Sequence, residues 1–357
     1  MRNWCLSALL AMAVMGCAAS PADQPGAGSG GSNGGDAQPT GSGGAATGGS
    51  GAATGGATGT DAGTGSGGAT VGGTGGSAID AGGTGGAATD AGGPGDGGTG
   101  TPLASAGCAK SGRPAGGRII VANDHIYDFP ATYDGNKPMP LVFVLHGANN
   151  PNTLVESQTN GSRLATNFVR VFPKSTGAAW SFGGGTSADM QRLATIYNDL
   201  LANHCIDTSR VFLSGHSSGA QMSVQMICVP GGDKRFKAVA PVAASKYCDT
   251  LTPIPVLYIQ GMMDAMRGGG NGANVVAVFT ASNMCTTTSM PYAAIPTCNS
   301  TLDGKLVNPG CISYQGCSKP TVWCSHNDNV YNLTDGHEHG WPCFAANGIA
   351  DFFLSLP

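Results

Sequence analysis

The stretch Arg210-Val211-Phe212-Leu213-Ser214-Gly215-His216-Ser217-Ser218-Gly219-Ala220 decides how this chain folds. Arg210 to Leu213 is an apolar run of strand type, and Gln221 to Val229 is a candidate helix. Between them lies Gly-x-Ser-x-Gly, whose two glycines permit a turn too tight for side chains and lift Ser217 Oγ clear of the backbone. The motif arises by chance in a chain with 60 glycines, so the strand before it and the helix after it are what give it meaning. Ser217 is the candidate nucleophile. Ser218 sits off the centre of the motif and is less suited.

Working outward, further short apolar runs read as buried strands: Pro140 to Leu145, Phe168 to Phe172, Ala238 to Val242 and Pro255 to Ile259. Ser187 to His204 has helical spacing through Met190, Leu193, Ile196 and Leu200. This alternation predicts the α/β class, with a mostly parallel sheet flanked by helices. Functional groups in such sheets gather at the carboxyl ends of the strands.

A serine hydroxyl needs a base, and the base needs a carboxylate to orient it. Asp264 follows the Pro255–Ile259 run in Gln260-Gly261-Met262-Met263-Asp264 and is the candidate acid. Asp249 precedes that strand, while Asp303 and Asp328 lie in a cysteine-rich stretch. The late histidines are His326, His337 and His339, and sequence order does not choose between the last two. Backbone amides for a developing oxyanion are expected from Ser218 and from Ala148, in the Gly turn His146-Gly147-Ala148-Asn149-Asn150. His146 is read as structural support for that turn, and His216 and His125 as ordinary local contacts.

Composition divides the chain. Residues 18–107 hold 34 of the 60 glycines, six Asp, no Lys or Arg and no aromatic residue, so they cannot build a core. They read as a disordered Gly/Ala/Thr/Ser-rich linker with an end-to-end distance of roughly 50 Å. Residues 108–357 are expected to form one domain. Removing Arg2 from the 17 cations and the six linker Asp from the 21 acids leaves 16 against 15. A near-neutral domain argues against a nucleic-acid partner.

Residues 1–17 start with Arg2, continue as an apolar run from Leu6 to Met15 and end Val14-Met15-Gly16-Cys17. This is a signal peptide, too short to span a bilayer. Its end resembles a bacterial lipobox, which makes Cys17 the expected lipidation site; cleavage near Ala18-Ala19-Ser20 is the alternative. Contact with a membrane is expected only through that N-terminal lipid, with the protein at the cell envelope or secreted. Of the 12 cysteines, ten lie from Cys108 to Cys343, and an even number in an oxidising compartment reads as disulfides. No C-x-x-C pair is present and the spacings fit no zinc module, so no metal is expected, and acyl transfer through Ser217 needs no organic cofactor.

The domain resembles the feruloyl esterases and poly(3-hydroxybutyrate) depolymerases of the α/β-hydrolase superfamily, the group that includes carbohydrate esterase family 1. The resemblance rests on Ser105-Ala106-Gly107-Cys108, Lys137-Pro138-Met139-Pro140-Leu141-Val142-Phe143 before His146-Gly147, and Phe172-Pro173 followed by Trp180. It also rests on Cys205-Ile206-Asp207-Thr208-Ser209-Arg210-Val211-Phe212 before the serine turn. The family histidine lies two positions before the Trp of a Trp-Pro pair, which selects His339 in His339-Gly340-Trp341-Pro342, with His337 in reserve.

The resemblance implies an α/β-hydrolase fold and a serine esterase of Ser-His-Asp type, a monomer acting on an ester-bearing polysaccharide or polyester. A polyhydroxyalkanoate depolymerase is the second reading, and a catalytically silent surface binding protein the third. Trp180 and Trp341 are candidate pocket residues, with burial in the core as the competing reading. Two departures stand out: Ala220 where the family carries a further Gly, and a Cys-rich insertion from Cys285 to Asn329, before the histidine.

Overall fold

The computed structural model describes residues 101–112, 115–183, 187–228, 233–245, 248, 251–264, 271–328 and 338–357. The signal peptide, Cys17, the linker up to residue 100, Asp249 and His337 lie outside the described residues.

In chain order the strands are β1 (Gly117–Val121), β2 (His125–Phe129), β3 (Met139–Leu145), β4 (Val169–Phe172), β5 (Ile206–His216), β6 (Ala238–Val242) and β7 (Val256–Gly261). They continue as β8 (Ser289–Pro291), β9 (Cys298–Asn299), β10 (Leu306–Val307), β11 (Gly310–Tyr314) and β12 (Thr321–His326). The helices are α1 (Asn152–Thr159), α2 (Arg163–Asn167), α3 (Ala188–Asn203), α4 (Ser218–Cys228), α5 (Asn271–Ser282) and α6 (Ala345–Ser355). Ten strands form one sheet in the order β1-β2-β4-β3-β5-β6-β7-β12-β11-β8. From β4 to β12 the pairs are parallel, and the two edges are antiparallel.

The side chains of each central strand alternate between two apolar layers. Val142, Val144 and Phe212 pack with Val155 of α1, Leu164 of α2 and Ile349 and Phe353 of α6. Leu141, Phe143, Leu145 and Leu213 face the other way, against Leu193, Ile196 and Leu200 of α3 and Met222 of α4. A strand buried on both faces has to be apolar throughout, which is why these runs are legible in sequence. Helix α3 begins where its N-cap predicts: Ser187 Oγ accepts from Met190 N–H at 3.2 Å.

Three boundaries differ from the sequence reading. Strand β5 is longer than the Arg210–Leu213 run, and α4 starts at Ser218 rather than Gln221. Leu103 to Gly107, placed in the linker by composition, are tied to the domain: Leu103 N–H donates to Asp207 Oδ1 at 3.0 Å and Ser105 N–H to Ile206 O at 2.9 Å. The stretch from Cys285 to Asn329 is also more than an insertion. Its Thr321–His326 segment is a central parallel strand beside β7, and β11 and β8 extend the sheet from it.

All ten cysteines from Cys108 onward are paired: Cys108–Cys205, Cys228–Cys248, Cys285–Cys317, Cys298–Cys343 and Cys311–Cys324. Such a set fits folding in an oxidising compartment outside the cytoplasm. Three of the five lie in the segment after α5, where short strands alone bury little apolar area.

His326, at the end of β12, is fully buried, and its Nδ1 accepts from Asp328 N–H at 3.2 Å. Burial pushes this imidazole down to about 3, and the nearby Asp264 offsets only part of that. In the unfolded chain a histidine titrates near 6.5. Below that pH the unfolded state takes up a proton that the folded state refuses until about 3. Stability is therefore full above pH 6.5 and falls as pH drops, by up to about 1.4 kcal/mol per pH unit from this group. His125, pushed down to about 4 chiefly by burial, acts in the same direction. Urea midpoints should fall between pH 7 and pH 5, and equal midpoints would contradict this account.

Candidate active site

The site is assembled at the carboxyl ends of β3, β5 and β7. Ser217 sits between β5 and α4 at φ +54°, a left-handed conformation rarely held by a residue with a side chain. The flanking glycines make it sterically possible. A Cβ on Gly215 would lie 2.6 Å from the Gly219 carbonyl carbon, and one on Gly219 would lie 2.3 Å from Leu145 O. Ala220, where the resembled family has Gly, is fully buried against Val224, Ile227 and Val239.

The structure brings Ser217, His339 and Asp264 into one chain of hydrogen bonds. His339 Nε2 lies 2.9 Å from Ser217 Oγ. On the other side of the ring, Nδ1 lies 2.9 Å from Asp264 Oδ2 and 3.0 Å from Oδ1. A carboxylate can only accept, so Nδ1 carries the proton and Nε2 is left with a lone pair facing the hydroxyl. All three residues are buried, Ser217 being the most exposed at 6%.

The acid has its own support. Gln260 Nε2 donates to Asp264 Oδ2 at 2.5 Å. The Tyr258 hydroxyl lies 2.5 Å from Gln260 Oε1 and 2.8 Å from Ala244 O. The amide therefore turns its oxygen to the tyrosine and its NH2 to the carboxylate. Sequence reading passed over both residues, because glutamine and tyrosine at strand positions carry no motif. Gln260→Leu is expected to lower kcat by about 10- to 100-fold, as loss of an orienting neighbour does at a metal ligand, with little change in KM. Steady-state kinetics on a soluble ester checks this, and an unchanged kcat would contradict it.

Two contacts fix His339 and its loop. His216 Nε2 donates to the His339 carbonyl at 2.6 Å, so His216 reaches across the chain to the base rather than making the local contact expected of it. Glu338 stands at φ +64°, and its Oε2 accepts from Met263 N–H at 2.6 Å, stitching the base's loop to the acid's. A Cβ on Gly261 would come within 2.2 Å of Glu338 O, so these loops approach closely only because residue 261 is glycine.

Ala148 lies in a turn closed by Asn150 N–H to Gly147 O at 3.2 Å, and Ser218 N–H is at the first turn of α4. The backbone hydrogen bonds among the described residues use neither amide. His146 supports this turn from within. Its Nδ1 donates to Gly147 O at 2.8 Å and its Nε2 accepts from Ser175 N–H at 3.2 Å. Trp180 is 2% exposed, and its indole N–H donates to His146 O at 2.8 Å, so its burial favours packing over ligand stacking. Trp341 packs in the core with Phe344 and Ile349, and part of it lines a surface cavity. Among the described residues no group of three His, Cys, Asp or Glu side chains is placed to hold a metal ion.

A serine on a strand–helix elbow in a ten-stranded, mostly parallel sheet is the architecture of an α/β-hydrolase. No family model matches the chain. It is similar to a probable feruloyl esterase C of Aspergillus terreus, 27% identical over 71% of this chain and 90% of that one. It is similar also to feruloyl esterase C of Emericella nidulans, 24% identical over 72% of this chain and 95% of that one. A bifunctional acetylxylan esterase/xylanase of Neocallimastix patriciarum is 29% identical over 39% of this chain and 21% of its own length. The chain is a carboxylic ester hydrolase. Within that class it is similar to the feruloyl esterases and has the α/β-hydrolase fold.

Proposed function

We propose that this is an exported serine esterase that removes feruloyl or acetyl groups from plant cell-wall polysaccharide through an acyl-enzyme on Ser217. The observation that carries the reading is the 2.9 Å contact from His339 Nε2 to Ser217 Oγ, with Asp264 behind the ring. The names of the relatives support the choice of ester.

In the proposed cycle the Ser217 Oγ–H proton passes to His339 Nε2 as Oγ bonds to the ester carbonyl carbon. The carbonyl oxygen takes the negative charge and meets the Ala148 and Ser218 amides. Collapse of this intermediate breaks the bond to the alcohol oxygen, which leaves with the proton from Nε2. A water then gives its proton to Nε2, attacks the acyl carbon and releases the acid, returning the proton to Oγ. Asp264 remains ionised throughout and stabilises the imidazolium.

Export rests on the N-terminal 17 residues and the five disulfides, and Cys17 is the proposed lipid attachment point. Hydrolysis of methyl ferulate, acetylated xylan and 3-hydroxybutyrate oligomers by the oxidised protein tests the substrate choice. Turnover of either of the first two well above the third is the expected result. Preference for the hydroxybutyrate oligomers would move the reading to a polyester depolymerase.

A further inference from the structure

His339 stands on a loop, in neither helix nor strand, whereas Ser217 directly follows β5 and Asp264 lies just beyond the end of β7. Loops hold position less well than strands, and catalytic groups need placing to within about 0.5 Å of the productive geometry. Whatever fixes this loop therefore bears on the rate. His216 is the last residue of β5, in register with Val242 of β6, and is 1% exposed. Its Nε2 lies 2.6 Å from the His339 carbonyl oxygen, and the two ring centroids are 5.2 Å apart. A carbonyl can only accept, so Nε2 carries the proton.

The same ring also meets the oxyanion turn. A Cβ on Gly147 would lie 3.1 Å from His216 Nδ1 and 3.4 Å from Ser217 Cβ, so the Gly147 backbone packs against this imidazole. Ala148, the candidate oxyanion donor, is next in the chain. One side chain on a central strand thus stands between the turn that offers the amide and the loop that offers the base. In acyl transfer the two act on substituents of one tetrahedral carbon: the amide on its anionic oxygen, the base on the attacking and leaving oxygens. The geometry of that carbon sets their separation, and a spacer between them keeps it.

We propose that His216 is a positioning residue for ester hydrolysis, holding the base through the His339 carbonyl and spacing it from the oxyanion turn. Its role is to place His339, not to exchange a proton with the substrate. The proposal rests on the acyl-enzyme reading above and adds to it a residue that neither motif nor chain order assigns. It also makes a chemical demand: a donor is needed where Nε2 stands. Glutamine puts its amide nitrogen near that position, asparagine, one methylene shorter, near Nδ1, and phenylalanine keeps a ring while losing the donor.

Turnover of p-nitrophenyl acetate by the full, oxidised protein, with kcat and KM separated, tests this in His216→Phe, His216→Asn and His216→Gln, each with a circular dichroism melt. Loss of kcat by about tenfold or more is expected in His216→Phe and His216→Asn, with KM within about twofold of the parent. His216→Gln should recover kcat to within about fivefold. If His216→Phe does not fold, the difference between the two amides decides, since they vary by one methylene alone. Parental kcat in a folded His216→Phe or His216→Asn variant, His216→Gln no better than His216→Asn, a loss confined to KM, or three variants that all fail to fold would each overturn the proposal. Labelling of the parent by a fluorophosphonate probe separates the two readings. A labelled Ser217 with His216 variants of parental rate removes this proposal alone, whereas a folded parent that takes no label removes the acyl-enzyme reading and this proposal with it.

Discussion

Replacing Ser217 by alanine is expected to lower kcat for ester hydrolysis by roughly 10⁴- to 10⁶-fold while the protein still folds. The hydroxyl is the only atom lost. Its contact is with His339 Nε2, and the elbow is shaped by Gly215 and Gly219 rather than by the serine side chain. Alanine meets the same cost at φ +54° that serine already bears. Turnover of methyl ferulate and the thermal melt together check the prediction. A loss of activity accompanied by a collapsed melt would say nothing of chemistry, whereas retained activity would remove Ser217 from the mechanism.

Asp264→Asn is the second large effect, a fall in kcat of about 10⁴. Both carboxylate oxygens lie within 3.0 Å of His339 Nδ1, and Oδ2 also accepts from Gln260. An asparagine that keeps the Gln260 bond must point its oxygen that way and its NH2 toward the ring. Nδ1 then becomes an acceptor, the proton moves to Nε2, and the nitrogen facing Ser217 is no longer a base. Raising pH does not restore that tautomer. The loss is therefore expected to persist across pH 6 to 9, and recovery of rate at high pH would contradict this account.

The centre of the molecule was open to sequence reasoning because its physics is local. Val142, Val144, Leu141 and Phe143 are apolar in succession because β3 is covered on both faces, and Gly215-x-Ser217-x-Gly219 is spaced by the steric demands of one turn. Strand β12 escaped notice for the opposite reason. Thr321-Val322-Trp323-Cys324-Ser325-His326 mixes polar and apolar residues, and its identity as a strand depends on pairing with β7, more than sixty residues earlier in the chain. Its place in a Cys-rich stretch with little periodicity made it read as part of an insertion, whereas Cys324 is bonded to Cys311 of β11.

The same distinction holds at the site. Ser217 and Asp264 could be chosen by motif and chain order, and His339 through the Trp-Pro pattern of the resembled family, but the residues that hold them could not. His216 meets the His339 carbonyl 123 residues away, and Glu338 reaches Met263 across 75. Neither bond leaves a trace in the spacing of either residue. Gln260 is closer, four residues before Asp264, yet an amide on a strand reads as an interruption of the apolar run rather than as a partner for a buried acid.

The central claim is that Ser217 is a nucleophile activated by His339 in the folded protein. Labelling the oxidised, folded domain with a fluorophosphonate probe and mapping the modified peptide by mass spectrometry tests it most directly. The account predicts a single label on Ser217 that disappears when the protein is unfolded before exposure and in the His339→Ala variant. A folded protein that takes no label, or takes it on another serine, would contradict it.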